Sequence, residues 1–226
     1  MEQSIGFAHF LGQTDGVGKF VLAALLLLSV TSWYLMVTRA LNNWFAQKRA
    51  EVFLNTFWKA RTVAEAQTIL RSQPADNAFA NLAKRSFEAV TDLERDDVGL
   101  AAAGGLAEYL TRTLNNEIDR EAAASEFGLT VLASAGSASP YVGLFGTVWG
   151  IYHALVQIGL SGQGTLDKVA GPVGEALIMT ALGLAVAIPA VLAFNAFNRR
   201  NRMWLSRLDS FAHDLYVLLT VKNGNR

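Results

Sequence analysis

The distribution of charge constrains this sequence more than any other feature, because long stretches of it contain no charged residue. None occurs from Phe20 to Val37 or from Phe127 to Leu166, and Glu175 is the only one from Val169 to Asn198. A helix needs about 20 mostly apolar residues to cross a bilayer. The charge pattern therefore predicts an all-α membrane protein with three transmembrane helices, over residues 20–38, 136–159 and 173–197.

The first span has an alternative interpretation as a signal peptide, which is a short apolar segment behind a basic N-terminal region. The preceding residues 1–19 are neither short nor basic, and no small-residue cleavage site follows the span. We therefore favour a membrane helix over a cleaved peptide for residues 20–38.

The positions of lysine and arginine predict the orientation of the spans. Of the 19 basic residues, 11 lie between residues 39 and 120 and six lie from residue 199 onward. Basic residues concentrate on the cytoplasmic side of membrane proteins. We therefore expect a cytoplasmic helical region at residues 39–135 and a cytoplasmic tail at residues 198–226. The N-terminus, residues 1–19, and one loop, residues 160–172, are expected in the periplasm.

The composition argues against several functional classes. The chain has no cysteine, which excludes disulfides, thiolate metal sites and a cysteine nucleophile. Its net charge is zero, so no overall attraction to nucleic acid is expected. The histidines are too far apart in sequence to suggest a ligand cluster, and Gly16–Lys19 lacks the spacing of a nucleotide-binding loop. We expect no enzyme activity, no metal and no cofactor.

The middle region, residues 41–126, has apolar residues at helical spacing, with a predicted turn at Ser72–Asn77 around Pro74. No stop signal separates its last helix from the second span, so one long helix is expected from about residue 106 to about residue 159. The acidic run at residues 92–97 is interpreted as a solvated face rather than a binding patch.

Small residues line one face of each of the last two spans. In the second span they recur at intervals of three and four residues, and the third span carries a similar stripe. Small residues let membrane helices approach closely, so we expect these helices to pack against each other or against other copies. Pro189 offers a kink in the third span. The two stripes are Gly136, Ser139, Gly143, Gly146 and Gly150, and Ala176, Thr180, Gly183, Ala187 and Ala190.

Two polar residues within the spans are candidates for function. Thr147 is the only polar residue on the face beside the glycine stripe, although membrane hydroxyls often bond to their own helix backbone. Glu175 is the only acid in the three spans; such residues usually face a protein interior or a water-filled cavity. The alternative for Glu175 is a position at the water interface near a helix N-terminus. Glu175 and Thr180 lie roughly 140° apart around an ideal helix.

The motif "SPYVGLFGTVWGIYHAL" at residues 139–155, followed by "GPVGEALIMTALGLAVAIPAVLAFN" at residues 171–195, resembles the ExbB/TolQ family, which is more distantly related to MotA. The resemblance implies an inner-membrane motor subunit that forms a homopentameric ring. It also implies a proton-driven partner, ExbD or TolR, whose single-span helices sit in the central pore. By this resemblance Thr147, Glu175 and Thr180 line the proton pathway, and the titrating aspartate belongs to the partner.

Within the family, the stretch from Ser161 to Val191 looks more like ExbB members than TolQ members. This implies that the motor energises TonB, and through it the uptake of siderophores and vitamin B12 across the outer membrane. The alternative is a TolQ-like subunit for outer-membrane integrity and cell division. A passive scaffold is a further alternative, whereas a substrate transporter is disfavoured because the spans show no broken, repeated helices.

Overall fold

The computed structural model describes residues 15–74, 76–94, 104–161 and 166–223. Over these residues the secondary structure is helical and contains no strand, as the charge pattern and apolar periodicity predict. The six helices are α1 (Gly16–Phe57), α2 (Val63–Arg71), α3 (Ala78–Glu94), α4 (Gly105–Glu126), α5 (Leu129–Ser161) and α6 (Leu166–Asn223).

The chain divides into two compact units. The first, called here the membrane unit, comprises Met1–Thr38 and Gly128–Phe197. The second, called here the aromatic unit, comprises Arg39–Phe127 and Asn198–Arg226. Helices α1 and α6 are each divided between the two units. Helix α5 lies within the membrane unit, and α2, α3 and α4 lie within the aromatic unit.

Three helical segments are long and apolar enough to cross a membrane. They lie in α1, in the stretch Gly105–Leu160 that includes α5, and in α6. The predicted spans 20–38, 136–159 and 173–197 fall inside these three helices. Large apolar side chains on them are exposed, as in Tyr141 and Leu160, because in a bilayer such side chains face lipid. The chain is therefore an all-α membrane protein.

The α helices continue where the sequence predicts a loop and a tail. Helix α5 extends to Ser161 and α6 begins at Leu166, so most of the predicted loop 160–172 is helical and its residues 162–165 lie outside the described ones. The predicted tail, residues 198–226, continues α6 as far as Asn223. Pro189 lies inside α6, which runs on without interruption beyond it.

The expectation of one helix from residue 106 to residue 159 is wrong, because the chain breaks between α4 and α5. Helix α4 ends at Glu126, and Gly128 adopts a left-handed backbone with φ of 76° before α5 begins. Glycine is the residue that adopts this conformation without steric cost, and helices commonly end at such a position. The "FG" dipeptide at residues 127–128 is the helix stop.

Two side chains from distant parts of the sequence bond to the end of α4. The carbonyl oxygen of Ser125 accepts hydrogen bonds from the Arg39 guanidinium at 2.7 Å and from the Asn201 amide at 2.6 Å. The last carbonyls of a helix have no partner within it and carry partial negative charge, so a cation there is stabilising. Burial lowers the pKa of Arg39, but arginine stays charged at physiological pH.

The aromatic unit is built on a cluster of phenylalanines from α1, α3 and α6. Phe53 and Phe79 are fully buried. The ring centroid of Phe211 lies 6.2 Å from that of Phe53 and 5.5 Å from that of Phe79. Phe57 lies 5.6 Å from Phe211 with the rings nearly perpendicular. Edge-to-face pairs at these separations add to the gain from burying the ring area.

The turn predicted at Ser72–Asn77 is confirmed, since α2 ends at Arg71 and α3 begins at Ala78. The Thr62 hydroxyl accepts the Glu65 backbone N–H at 3.2 Å and so caps the start of α2. The Asn77 side chain similarly accepts the Ala80 N–H at the start of α3. Of the predicted acidic face at residues 92–97, residues 95–97 lie outside the described ones.

Candidate functional site

The contact between α5 and α6 in the membrane unit is made where each helix carries glycine. A Cβ atom on Gly143 would lie 2.6 Å from the Met179 carbonyl oxygen and 3.1 Å from the Gly183 Cα. A Cβ atom on Gly183 would lie 2.6 Å from the Ser139 carbonyl oxygen. Real Cβ atoms do not approach backbone this closely, so the two backbones meet only because neither residue has a side chain.

The other glycines of the α5 stripe also face neighbouring helices. A Cβ on Gly150 would lie 3.0 Å from the Ala176 Cβ of α6, and one on Gly136 would collide with Val191. A Cβ on Gly146 would touch both α1, at Val21, and α6, at Met179. The small residues of the α6 stripe are correspondingly buried, with at most 4% of the surface exposed for Ala176, Ala187 and Ala190.

Two threonine hydroxyls meet inside this contact. The Oγ1 atoms of Thr147 on α5 and Thr180 on α6 lie 2.6 Å apart. Thr147 Oγ1 is also 2.9 Å from the Ala176 carbonyl oxygen of α6 and 3.2 Å from the Gly143 carbonyl oxygen of its own helix. Thr147 is buried and Thr180 is partly buried. The alternative considered from the sequence was that the Thr147 hydroxyl bonds only to the backbone of its own helix. That bond, to Gly143, is one of its three contacts.

Each of these hydroxyls has a single proton, which limits the directions that the hydrogen bonds can take. A hydroxyl donates one hydrogen bond and accepts up to two. When Thr147 donates to the Ala176 carbonyl, it accepts from Thr180. When Thr147 donates to Thr180 instead, the second threonine can donate onward. The pair can therefore reverse its polarity without either group becoming charged, which suits it to orienting a water molecule or a carboxyl group.

Glu175 lies one residue before Ala176 but is not part of the hydroxyl pair. Its side chain is partly buried, and among the described residues its carboxylate makes no hydrogen bond or ion pair. A regular helix carries Glu175 and Thr180 on different sides, about 140° apart. The structure thus brings Thr147 and Thr180 together within one chain and leaves Glu175 on another face of α6.

A second polar cluster joins α1 and α5, and the sequence analysis did not identify it. The Asp15 carboxylate accepts the Trp149 indole N–H at 2.7 Å and the Gly18 backbone N–H at 2.8 Å. The His153 Nε2 atom lies 3.9 Å from the same carboxylate. Trp149 and His153 are four residues apart, so their helical spacing shows that they share a face. Nothing local in the sequence pairs them with Asp15.

Within the part of the chain that the structure describes, no three histidine or acidic side chains are grouped so that they could hold a metal ion. The polar groups described above in the membrane unit are therefore hydroxyls, the Glu175 carboxylate and the Asp15 cluster. These groups can orient and transfer protons, and they include no evident nucleophile activated by a neighbouring base.

Comparison with known proteins assigns the chain to a family. Residues 75–210 match the model of the MotA/TolQ/ExbB proton channel family. The chain belongs to this family. The matched region includes α5 and the apolar part of α6, and so contains the glycine contact, the threonine pair and Glu175.

Relatives in this family extend over most of the chain. The biopolymer transport protein ExbB of Xanthomonas campestris pv. campestris (strain B100) is 39% identical over 221 residues, covering 94% of this chain and 87% of that protein. ExbB of Neisseria meningitidis serogroup A is 41% identical over 204 residues, covering 90% of this chain and 91% of that protein. The Tol-Pal system protein TolQ of Pseudomonas aeruginosa is 35% identical over 204 residues, covering 90% and 87%.

These matches confirm the resemblance inferred from the two motifs. Both ExbB and TolQ proteins occur among the relatives: the two ExbB proteins named above are 39% and 41% identical and the TolQ is 35%, whereas ExbB of Pseudomonas putida is 29% identical. Membership of a proton channel family also agrees with the expectation that the chain is not an enzyme.

Proposed function

We propose that this chain is an ExbB-like subunit of a motor driven by the proton-motive force in the bacterial inner membrane. Together with an ExbD-type partner it energises TonB-dependent transport of siderophores and vitamin B12 across the outer membrane. One observation carries the proposal: a pair of hydroxyl groups, Thr147 and Thr180, lies 2.6 Å apart between two apolar helices of a proton channel family chain. The names of its ExbB relatives support the choice of system.

In this proposal the threonine pair and Glu175 form the polar part of the wall of a proton pathway. A threonine does not titrate at physiological pH, so the moving charge is a proton on a partner carboxyl group that uses the hydroxyls as hydrogen-bond partners. Glu175 supplies a carboxyl group to the same pathway from a different face of α6. Moving one charge across the membrane releases about 2.3 kcal/mol per 100 mV, which is the energy available for motion of the partner.

The proposal includes an assembly and an orientation. Five copies form a ring around the single-span helices of the partner. The N-terminus and the residues between α5 and α6 face the periplasm, and the aromatic unit faces the cytoplasm. Exposed large apolar side chains on α1, α5 and α6 support extensive contact with lipid and with neighbouring copies. The excess of basic residues at 39–120 and from 199 onward supports the orientation.

The test replaces each hydroxyl by a methyl group of equal size. Thr147→Val and Thr180→Val each remove the hydrogen bonds and keep the volume. We therefore expect proton-dependent siderophore uptake to fall about fivefold to tenfold, the effect of losing about 1 to 1.4 kcal/mol of hydrogen bonding. Thr38→Val is the matched control. Thr38 is partly buried and its hydroxyl bonds only to the carbonyl oxygens of Tyr34 and Leu35 in its own helix, so uptake should be normal.

Glu175→Gln tests the role of the charge separately from the hydroxyls. We expect uptake to be lost while the amount of protein and its co-purification with the partner stay normal. Normal uptake by Glu175→Gln would remove this carboxylate from the pathway. Normal uptake by both threonine variants would make the hydroxyl pair a packing feature and would overturn the proposed mechanism.

The second candidate function is that of a TolQ-like subunit in outer-membrane integrity and cell division. The 35% identity to the Pseudomonas TolQ over 204 residues favours keeping it. Purification of the chain from its native membrane, followed by mass spectrometry, separates the two. Recovery of ExbD and TonB supports the import motor. Recovery of TolR and TolA transfers the same mechanism to the Tol system.

A further inference from the structure

Asp15 joins the beginning of α1 to α5 through both of its carboxylate oxygens. Oδ1 accepts the backbone N–H of Gly18 at 2.8 Å, which caps the first turn of α1. Oδ2 accepts the indole N–H of Trp149 at 2.7 Å, and His153 Nε2 lies 3.9 Å from that same oxygen. The ring centroids of Trp149 and His153 lie 5.2 Å apart, so the two side chains form one surface of α5 facing the carboxylate.

The packing of α1 next to this cluster involves the candidate functional site. Val21, less than two turns after Asp15, is buried with Leu25 and with Met179 of α6. The space at Gly146 on α5 is bounded by Val21 on one side and by Met179 on the other. The position of α1 therefore sets one wall of the α5–α6 contact, one residue away from Thr147.

The geometry excludes a direct proton relay from this cluster to the threonine pair. On a regular helix, Trp149 and His153 lie about 200° and 240° around the axis from Thr147. They therefore point to the opposite side of α5 from the hydroxyls, and the Trp149 indole does not ionise at physiological pH. The cluster can affect the site through the position of α1, and not as part of the pathway.

The charge on Asp15 persists at physiological pH. Partial burial acts to raise the pKa of its carboxyl, but the hydrogen bonds from Trp149 and Gly18 and the charges of His153 and Lys19 outweigh it and hold the pKa below its ordinary value. Among the described residues, His153 on α5 and Lys19 on α1 are the titratable groups that face this carboxylate. Histidine is the side chain that ordinarily changes charge between about pH 5 and 8.

We propose that Asp15 is a positioning residue that clasps the beginning of α1 to α5 through Trp149, and that a proton on His153 tightens this clasp. The consequence for transport rests on the proposed function, because it acts through the wall at Gly146 and Met179. The clasp itself does not rest on it. In the proposed orientation the clasp faces the periplasm, so it responds to the pH on the side from which protons enter.

The experiment measures amide hydrogen exchange in the first turns of α1 in the purified, intact complex. Trp149→Phe removes only the N–H donor, and Asp15→Ser keeps a helix cap but is too short to reach Trp149. Because a hydrogen bond to a charged group is roughly twice as strong as a neutral one, we expect each variant to speed exchange about tenfold. The double variant should add little to either. Trp33→Phe, at an exposed tryptophan of α1, is the control and should change nothing.

A pH series separates the clasp from a purely structural hydrogen bond. After correction for intrinsic exchange rates, exchange in the first turns of α1 should slow between pH 8 and pH 5.5 in the natural chain. The slope should disappear in His153→Gln and in Asp15→Asn, which lacks the negative charge. A slope that persists in His153→Gln would overturn the role of the proton, and unchanged exchange in Trp149→Phe would overturn the clasp.

A second measurement uses the absence of cysteine in the natural chain. A Cβ on residue 146 would lie 3.0 Å from Val21 Cγ1, so Val21→Cys with Gly146→Cys places two thiols within disulfide reach. Adding Trp149→Phe should slow disulfide formation severalfold if the clasp positions α1, and unchanged formation would contradict it. Normal uptake by the threonine variants, which would overturn the proposed mechanism, would leave both of these readouts unchanged.

Discussion

Different kinds of side chain make the internal contacts of the two compact units. In the membrane unit the contacts are made by residues with little or no side chain, such as Gly143 and Gly183, and by hydroxyls. In the aromatic unit they are made by large rings, such as Phe53, Phe79 and Phe211. Both units are helical, so secondary structure does not explain the difference.

We attribute the difference to the solvents of the proposed topology, in which the membrane unit lies in lipid and the aromatic unit in water. In water, burying a phenylalanine ring removes a large apolar surface from solvent and is a main driving force for folding. In a bilayer, lipid chains are as apolar as the ring, so burying it gains little, and close backbone approach drives association instead. Accordingly, Phe20 and Tyr141 of the membrane unit are more than 70% exposed, whereas Phe53 and Phe79 of the aromatic unit are fully buried.

The comparison predicts that the membrane unit is most sensitive to added volume, and this effect should be the largest. Gly143→Leu places a branched side chain where even a Cβ lies 2.6 Å from the Met179 carbonyl oxygen. We expect the α5–α6 contact to be lost and the yield of folded, assembled protein to fall to a background level, measured by gel filtration in detergent.

The matched control for that variant is Gly159→Leu, in the same helix. A Cβ on Gly159 would have open space around it, with nothing within 4 Å. This variant should assemble normally. If Gly143→Leu also assembled normally, close backbone approach would not be what holds the membrane unit together.

The aromatic unit should be most sensitive to removed volume. Phe53→Ala leaves a cavity among the rings of Phe57 and Phe211, and burial losses of this kind cost about 3–5 kcal/mol. We expect a clear fall in the thermal unfolding midpoint of the purified protein. The neighbouring Val52→Ala, at an exposed position of the same helix, should change stability by less than about 0.5 kcal/mol. Equal effects of the two variants would contradict the assigned core.

The smallest expected effect concerns a partly buried carboxyl group in the aromatic unit, that of Glu121. Burial raises the pKa of Glu121, although the Trp204 indole N–H, bonded to its carboxylate at 2.8 Å, partly opposes that shift. A carboxyl whose pKa is higher in the folded state binds a proton more tightly there. Its contribution to stability is therefore complete below the ordinary glutamate pKa and is lost as pH rises through the raised one.

Glu121→Gln tests this pH dependence while keeping an acceptor for Trp204. We expect the variant to have a slightly higher unfolding midpoint than the natural chain at pH 7 and a flatter dependence of that midpoint on pH. Glu126→Gln, at an exposed position of the same helix, is the control and should leave the pH profile unchanged. A natural-chain midpoint that rose with pH through the same range would contradict the assigned direction.

The sequence predicted the membrane spans more completely than the polar contacts between them. Spans follow from the absence of charge, which is a local property that can be read directly. The spacing of Gly143, Gly146 and Gly150 likewise follows from helical periodicity. The meeting of Thr147 with Thr180 did not follow, because periodicity assigns a residue to a face of its own helix but not to a residue on another helix.

The same distinction applies to the break between α4 and α5. The sequence contains Gly128, but glycines also lie inside α5 without ending it, so the residue type alone did not identify a stop. The chain ends α4 there because Arg39 and Asn201, which are far away in sequence, bond to the Ser125 carbonyl oxygen. A helix end is stable where its free carbonyls find partners.

By itself, then, the sequence determined that this protein is helical, that three of its segments are apolar enough to cross a membrane, and that small residues line one face of each of the last two. These properties depend on each residue's affinity for water or lipid and on the repeat of the α-helix. The tertiary structure alone decided which hydroxyls form a hydrogen bond, where the helix expected from residue 106 to residue 159 breaks, and that Asp15 accepts a hydrogen bond from Trp149. Those contacts depend on the relative position of helices far apart in sequence, to which no local pattern corresponds.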